Sequence, residues 1–182
     1  MRGMLDQEFG RIGRRLFAEG LVGATFGNMS VREGESLWIT RSGCCLDEPG
    51  LPVEVRLAGA APAGASSEYR VHRAVYLATG YRAIVHAHPV HAVAASLLYD
   101  AVEPIDSEGE MLCPMIPVVG GKPGTDELAN AVAEGLGQAH VVIARGHGTF
   151  AGGATLDEAC LYTSLAEHAC RVLLLVEAHR RR

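Results

Sequence analysis

The chain has 182 residues, of which 48% are hydrophobic and 20% charged, and its formal net charge is -5. This composition is typical of a globular domain with a sizeable core, and it excludes an intrinsically disordered chain. The acidic balance argues against nucleic-acid binding, and the lack of a run of about 18 apolar residues argues against a membrane span. We therefore expect one domain over residues 1–182 that binds neither nucleic acid nor membrane.

Hydrophobic periodicity and turn residues predict the elements in chain order. Leu5, Phe9, Ile12 and Leu16 recur at helical spacing and predict an amphipathic opening helix that stops at Gly20. The same reading predicts strands over 37–40, 83–88, 116–119 and 141–144, and helices over about 66–79 and 91–98, with two more starting near 125 and 155. Strands and helices alternate, which predicts an α/β layered domain, and this spacing by itself favours a parallel sheet.

Two of these elements carry more specific expectations. Ser66 and Ser67 are suited to cap the helix at 66–79, which places Glu68 in its first turn, where a carboxylate favours the helix dipole. Pro117 lacks a backbone N–H, so we expect the strand over 116–119 at the edge of the sheet.

The cysteines and the N-terminus indicate the compartment. The chain has five cysteines, none in Cys-x-x-Cys spacing, which indicates a reducing environment and argues against a thiolate zinc site. The first residues lack the apolar core of a signal peptide. A cytoplasmic protein is the expectation.

Three histidines are candidate metal ligands. His86 and His88 stand at i and i+2 near the end of an apolar strand, so their side chains share one face about 6.5 Å apart along the chain. The spacing fits a chelating pair, and it fits equally a hydrogen-bonded pair at a strand end. His147 also follows an apolar strand, between two glycines, and could be a plain turn residue. Three histidine ligands with an open fourth position are typical of a catalytic zinc site.

The region around Glu68 is a candidate acid/base and anion site. A glutamate at a helix N-terminus often only favours the dipole, but this helix start also offers free N–H groups and two hydroxyls that suit a phosphate. Two further clusters of small residues, at 25–28 and 42–43, could donate to the same anion or be ordinary turns.

Five segments, in this order, resemble the class II aldolase/adducin family: GLVGATFGNMSVR at 20–32, ITRSG at 39–43, SSEYRVH at 66–72, VHAHP at 85–89 and GHG at 146–148. The resemblance runs from about residue 5 to residue 175. It implies three layers, with a central, mostly antiparallel sheet flanked by helices, assembled as a homotetramer with sites at subunit interfaces.

The resemblance also implies a chemistry and assigns residues to it. It implies cleavage of a ketose 1-phosphate, such as L-fuculose 1-phosphate, to dihydroxyacetone phosphate and an aldehyde through an enediolate. One divalent ion per chain is implied, with zinc expected and manganese or cobalt as alternatives. His86, His88 and His147 match its ligands, and Glu68 matches the acid/base that can also occupy the fourth coordination position. The matching phosphate-binding positions are Gly27, Asn28, Ser42, Gly43, Ser66 and Ser67.

Some features leave other reactions open. Arg41 stands where the family commonly has proline, and the chain has no tyrosine between Asp100 and Thr149, where some members supply one to the site. A pentulose-phosphate 4-epimerase, a decarboxylase, a dehydratase of thio-sugar phosphates and a non-catalytic adducin-like domain are the alternatives. A lysine Schiff base is disfavoured, because the only lysine, Lys122, lies in a turn-like Gly-Gly-Lys-Pro-Gly loop.

Overall fold

A computed structural model describes residues 2–180 of the chain. It contains six helices among these residues: α1 (Arg2–Ala18), α2 (Tyr69–Ala78), α3 (Val90–Ser96), α4 (Ser107–Leu112), α5 (Asp126–Leu136) and α6 (Leu156–Arg180). It also contains eight strands: β1 (Asn28–Glu33), β2 (Ser36–Ile39), β3 (Val53–Arg56), β4 (Ala83–Ala87), β5 (Ala101–Val102), β6 (Ile116–Val119), β7 (Val141–Ala144) and β8 (Gly148–Gly153).

The strands form one sheet in the order β3-β2-β1-β4-β8-β7-β6-β5. All neighbouring pairs are antiparallel except β6 and β7, which are parallel. The mostly antiparallel sheet implied by the family resemblance is therefore confirmed, and the parallel sheet favoured by element spacing is wrong. The spacing was misleading because helical crossovers of this length can also return a strand in the antiparallel sense.

Helices cover both faces of this sheet and complete the three layers. On one face, Val71 and Val75 of α2 pack with Val142 and Phe150 of the sheet, and α5 adds its apolar side chains to the same cluster. On the other face, the predicted stripe of α1, including Phe9, packs with strand β4 and helix α6. The alternation of side chains along each strand therefore assigns His86 to the α2 side and its neighbour Val85 to the α1 side.

Helix α2 begins later than expected. It starts at Tyr69, so Glu68 occupies the N-cap position rather than the first turn, and its side chain makes no capping hydrogen bond. The Ser66 hydroxyl accepts a hydrogen bond from the Glu68 N–H, at a long 3.4 Å. The serines thus form a turn ahead of the helix, which leaves the Glu68 carboxylate free for another role.

The expected edge strand is an interior one. Pro117 of β6 pairs with Ala101 of the two-residue strand β5, which forms the edge instead. Proline is tolerated here because β5 is so short that few hydrogen bonds form between β5 and β6.

Helix α6 is long and apolar enough to span a membrane by length and composition, with a mean hydropathy of 1.3. One such helix is weak evidence, because the core helix of a water-soluble protein has the same properties. Here Leu156, Ala159 and Cys160 of α6 are buried against the α1 face of the sheet, and Ala166, Ala169 and Cys170 are buried in the neighbouring cluster. Part of the apolar surface of the helix is therefore buried within the fold, amounting to 33% of its most apolar 18-residue window.

Candidate metal centre

His86 is held in one orientation by the centre of the sheet. It lies on β4 between Asn28 of β1 and Phe150 of β8, and its ring stacks on Phe150 at a centroid distance of 4.0 Å. The His86 Nδ1 lies 2.8 Å from the backbone oxygen of Thr149, which can only accept a hydrogen bond. Nδ1 therefore carries the proton, and in the neutral ring the lone pair of Nε2 is free for a ligand.

The other two histidines converge on that lone pair. His88 Nε2 lies 3.1 Å from His86 Nε2, and His147 enters from the turn between β7 and β8. One ligand nitrogen from each of the three rings lies within 4.8 Å of the others. Two nitrogens bound to one tetrahedral zinc at about 2.0–2.1 Å would lie about 3.3 Å apart, so the His86–His88 pair is already close to a chelating distance.

The turn that carries His147 depends on a glycine at each side. Gly146 has φ +65°, a left-handed conformation that favours glycine. A Cβ at Gly148 would stand 2.2 Å from the backbone oxygen of Ala87 and 3.2 Å from His86 Cε1. The close approach of this turn to β4 therefore requires the second glycine.

Burial keeps these rings neutral at physiological pH. Desolvation is the largest cause of the lowered pKa at all three positions: the pKa of His86 is well below its usual value, that of His88 is lowered to about 4, and that of His147 is also lowered. The neighbouring rings lower the pKa of His86 further. Neutral imidazoles are the form that binds a metal, and His147 Nδ1 is buried without a hydrogen-bond partner in the described part of the chain. The donor set fits a divalent cation.

Glu68 is not one of the converging ligands, and the direction of α2 gives its position relative to them. His72 of α2 contacts Ser30 of β1, and Arg32 bonds the Tyr76 carbonyl, so α2 runs alongside β1 in the same direction. One helical turn back from His72 is a rise of about 6 Å, equal to two strand residues, which brings Glu68 near Asn28 and hence near His86.

The Glu68 carboxyl is tuned by its surroundings. Its side chain is buried, and burial raises the pKa of the carboxyl, while a hydrogen bond from the backbone N–H of Gly124 opposes the rise. Its Oε2 atom and the Asn28 Oδ1 atom are buried and have no partner within residues 2–180. Buried polar atoms without partners are rare in folded proteins, so this group is suited to a polar ligand.

The structure brings the three small-residue clusters into neighbouring strands and turns. Thr40 exchanges hydrogen bonds with Met29, next to Asn28, and its carbonyl accepts from the Ser66 N–H. Ser42 N–H bonds to the Gly64 carbonyl on the same side. The six predicted phosphate positions thus border one region: Asn28 and Ser66 are buried, Gly27 is half-buried, and Ser42, Gly43 and Ser67 are exposed.

A cleft of about 430 Å³ opens over His88 and His147. Phe26 forms part of its wall and stacks on the His88 ring at a centroid distance of 5.4 Å, although 55% of Phe26 is exposed. The histidine group is therefore reached from solvent through a partly apolar entrance.

Three contributors were not identified from the sequence. The Thr149 carbonyl that orients His86 is a backbone group, so its residue type carries no signal. The stacking of Phe150 on His86 depends on the β4–β8 register, which spacing does not reveal. Gly124 belongs to the loop that the sequence predicts to be turn-like, and its hydrogen bond to Glu68 places it here.

Residues 7–174 match the family described as "Class II Aldolase and Adducin N-terminal domain". The crystal structure of L-fuculose-1-phosphate aldolase from Thermus thermophilus superposes with a TM-score of 0.94 at 40% identity, covering 98% of this chain and 97% of that chain. An L-fuculose phosphate aldolase from Methanococcus maripaludis is 27% identical over 178 residues, which is 91% of this chain and 93% of that protein.

A different activity is named for another relative. A probable bifunctional methylthioribose-1-phosphate isomerase/methylthioribulose-1-phosphate dehydratase from Nocardia farcinica is 28% identical over 185 residues. The match includes 88% of this chain, which spans only about a third (34%) of that relative's length.

Proposed function

Because the chain belongs to the class II aldolase and adducin N-terminal domain family, we propose that it is a metal-dependent sugar-phosphate aldolase. The reaction would cleave a ketose 1-phosphate, L-fuculose 1-phosphate or a close analogue, to dihydroxyacetone phosphate and an aldehyde. The observation that carries the proposal is the 3.1 Å approach of His86 Nε2 to His88 Nε2, with His147 beside them and the buried Glu68 carboxyl on the adjacent helix. The whole chain, residues 1–182, would act as one catalytic domain.

His86, His88 and His147 would hold one divalent ion, with zinc expected and manganese or cobalt as alternatives. A bound ion supplies a Lewis acid that stabilises negative charge on the substrate's carbonyl oxygen. The protein's part is to orient the ligands: the Thr149 carbonyl fixes the tautomer of His86, and Phe150 fixes its ring plane.

Glu68 is the proposed acid/base. When the carbon–carbon bond breaks, the hydroxyl on the aldehyde-forming carbon releases its proton to solvent and becomes the aldehyde carbonyl. The electron pair of the broken bond stays on the dihydroxyacetone phosphate fragment as an enediolate, and the protonated Glu68 carboxyl donates a proton to its carbon. In the condensation direction Glu68 removes the same proton. A carboxyl whose pKa is raised by burial is suited to exchange a proton near neutral pH, and the Gly124 N–H keeps the ionised form accessible.

The phosphate of the substrate would lie among the small-residue clusters. We assign it to Gly27, Asn28, Ser42, Gly43, Ser66 and Ser67, whose N–H, hydroxyl and amide groups can donate to an anion. Arg41 lies between the second and third clusters through its bridge to Ala65, and it adds a cation to this edge.

Metal content and proton exchange test the proposal separately. Purified protein should hold about one divalent ion per chain, and His86→Ala should lose the ion and the cleavage of L-fuculose 1-phosphate. His179→Ala, at the exposed end of α6, is the matched control and should keep both. Glu68→Gln should keep the ion but lose exchange of the dihydroxyacetone phosphate proton with solvent. Exchange at the wild-type rate in Glu68→Gln would show that Glu68 is not the acid/base.

A second substrate class is favoured by two relatives. Besides the Nocardia farcinica protein, a 5-methylthioribulose-1-phosphate/5-deoxyribulose-1-phosphate aldolase from Escherichia coli is 30% identical over 154 residues, which is 80% of this chain and 71% of that protein. A panel of L-fuculose, 5-deoxyribulose and 5-methylthioribulose 1-phosphates distinguishes the candidates. Release of dihydroxyacetone phosphate identifies an aldolase, and loss of water without carbon–carbon cleavage identifies a dehydratase.

We also propose a cytoplasmic homotetramer with the cleft near a subunit interface. The support is the exposure of Phe26, Val90 and Leu97, apolar side chains on the elements that surround the cleft. Light scattering after size exclusion should give four times the chain mass, and a monomer would exclude this assembly.

A further inference from the structure

Helix α3 connects the two segments that carry His88 and His147. The helix begins at Val90, two residues after His88, and its last residue is Ser96. Ser96 is fully buried, and it contacts the β7–β8 turn, in which Arg145 and Gly146 precede His147. Both ligand-bearing segments are therefore attached to the same short helix.

Two hydrogen bonds tie the turn to Ser96. The backbone N–H of Gly146 donates to Ser96 Oγ at 2.9 Å, and Arg145 Nη1 donates to the Ser96 carbonyl at 2.6 Å. The Ser96 hydroxyl donates its own proton to the Val93 carbonyl at 2.7 Å, which leaves its lone pairs to accept from Gly146. The backbone N–H that donates this bond is one residue from His147.

The other end of α3 is also fixed. Glu167 of α6 accepts hydrogen bonds from the backbone N–H groups of His91 and Ala92, each at 3.0 Å, and its Oε1 lies 2.6 Å from His91 Nδ1. A carboxylate at a helix N-terminus satisfies donors that lack partners within the helix. Since α6 packs in the core, the position of α3, and with it the chain just after His88, is set by the core.

We propose that Ser96 is a positioning residue that sets the separation of His147 from His86 and His88. The inference rests on the proposed metal site and adds the device that assembles it. The three ligand atoms lie on two separate segments, and the Ser96–Gly146 bond joins these segments directly through α3. Without it, the Gly146 N–H loses its acceptor within the protein, and the turn carrying His147 keeps only the bond from Arg145 to the Ser96 carbonyl as its hydrogen-bonded attachment to Ser96.

The test measures metal affinity on folded protein. Ser96→Ala should weaken zinc binding by about 10- to 100-fold, the usual effect of losing a group that orients a ligand. The affinity is measured by competition with a chromophoric chelator at 25 °C, and circular dichroism checks that the variant is folded. Ser164→Ala is the matched control, because Ser164 also bonds a backbone carbonyl one turn back in a helix, but on the α1 side of α6. It should leave the zinc affinity unchanged.

A double-mutant cycle separates positioning from general loosening. The four proteins with and without Ser96→Ala and His147→Ala are titrated with Cu²⁺, which binds nitrogen ligands most tightly among these divalent ions and keeps two-histidine variants measurable. If Ser96 acts through His147, Ser96→Ala should change the affinity by less than about twofold in the His147→Ala background. An equal loss in both backgrounds would overturn the proposal, as would an unchanged affinity in Ser96→Ala alone. Wild-type protein that binds no ion would instead contradict the proposed function.

Discussion

Replacing His72 by asparagine should remove part of the acid sensitivity of folding. The His72 ring is fully buried, its Nδ1 lies 2.7 Å from the Ser30 hydroxyl, and its Nε2 has no partner in the described residues. Desolvation lowers the pKa of His72 to about 3 in the folded protein, against about 6.5 in an unfolded chain. Asparagine can keep the contact to Ser30 and does not titrate.

The sign and the size follow from proton linkage. Above pH 6.5 His72 is neutral in both states and has no effect on stability. Below pH 6.5 His72 is protonated in the unfolded chain, but in the folded protein it stays neutral down to about pH 3. Between these two pH values the free energy of unfolding therefore falls by about 1.4 kcal/mol per pH unit. At pH 5 the free energy of unfolding is lower by about 2 kcal/mol, and this loss is nearly the same for any pKa of folded-state His72 below about 4.

Urea unfolding at pH 7.5 and pH 5, in EDTA, measures the effect. The free energy of unfolding of the wild type should fall by about 2 kcal/mol more between the two pH values than that of His72→Asn. The constant cost of removing ring atoms cancels in this difference, and the three histidines of the metal centre contribute equally to both proteins. Equal losses in the two proteins would refute the reasoning, because they would show that His72 is protonated in the folded state or not buried in it.

Other predictions concern the metal centre. Gly148→Ala should lower the free energy of unfolding by about 2 kcal/mol or more and reduce bound metal, since the new Cβ would meet the Ala87 carbonyl at 2.2 Å. Gly80→Ala is the control, because nothing lies within 4 Å of a Cβ there, and it should change the free energy of unfolding by less than about 0.5 kcal/mol. Chemical denaturation compares the two variants. Zinc at about 100 times its dissociation constant should stabilise the wild type by about 2.7 kcal/mol, and this gain should be absent in His86→Ala when both are followed by thermal or urea unfolding. A gain of equal size in His86→Ala would mean that zinc binds elsewhere.

The family resemblance and the local signals anticipated much of the fold. The stripe of Leu5, Phe9, Ile12 and Leu16 is buried as predicted. Four apolar side chains at helical spacing form one apolar side of the helix, and exposing that side to water would be unfavourable. The sequence patterns did not predict strands β1, β3, β5 and β8, and β8 shows one reason. It contains three glycines, which sequence preferences assign to turns, yet a Cβ at Gly152 would meet the Tyr81 ring at 2.4 Å. Tertiary crowding, which no local pattern records, requires glycine in that strand.

In the candidate site, too, the residue types were predicted from the sequence, whereas the contacts between distant residues were not. The identity of His86, His88, His147 and Glu68 as candidates came from the residues and the resemblance, and their roles stay predictions. The start of α2 was placed too early, because serine is a good cap by itself and nothing local reveals that residues 66–68 form a separate turn. The contact between the loop at 120–124 and Glu68 was not predicted for a related reason: it joins positions more than 50 residues apart.

What the sequence determined by itself is the set of chemical groups and the short-range geometry between them. Two histidines at i and i+2 along an extended segment share a face, and the pair was predicted on this basis, although β4 ends at Ala87, one residue before His88. Only the tertiary structure decided that His147 reaches them, that the Thr149 carbonyl selects the tautomer of His86, and that Ser96 joins the two ligand segments. These relations depend on strand order, register and helix packing. Because these arise from contacts between residues far apart in the chain, no local spacing in the sequence predicts them.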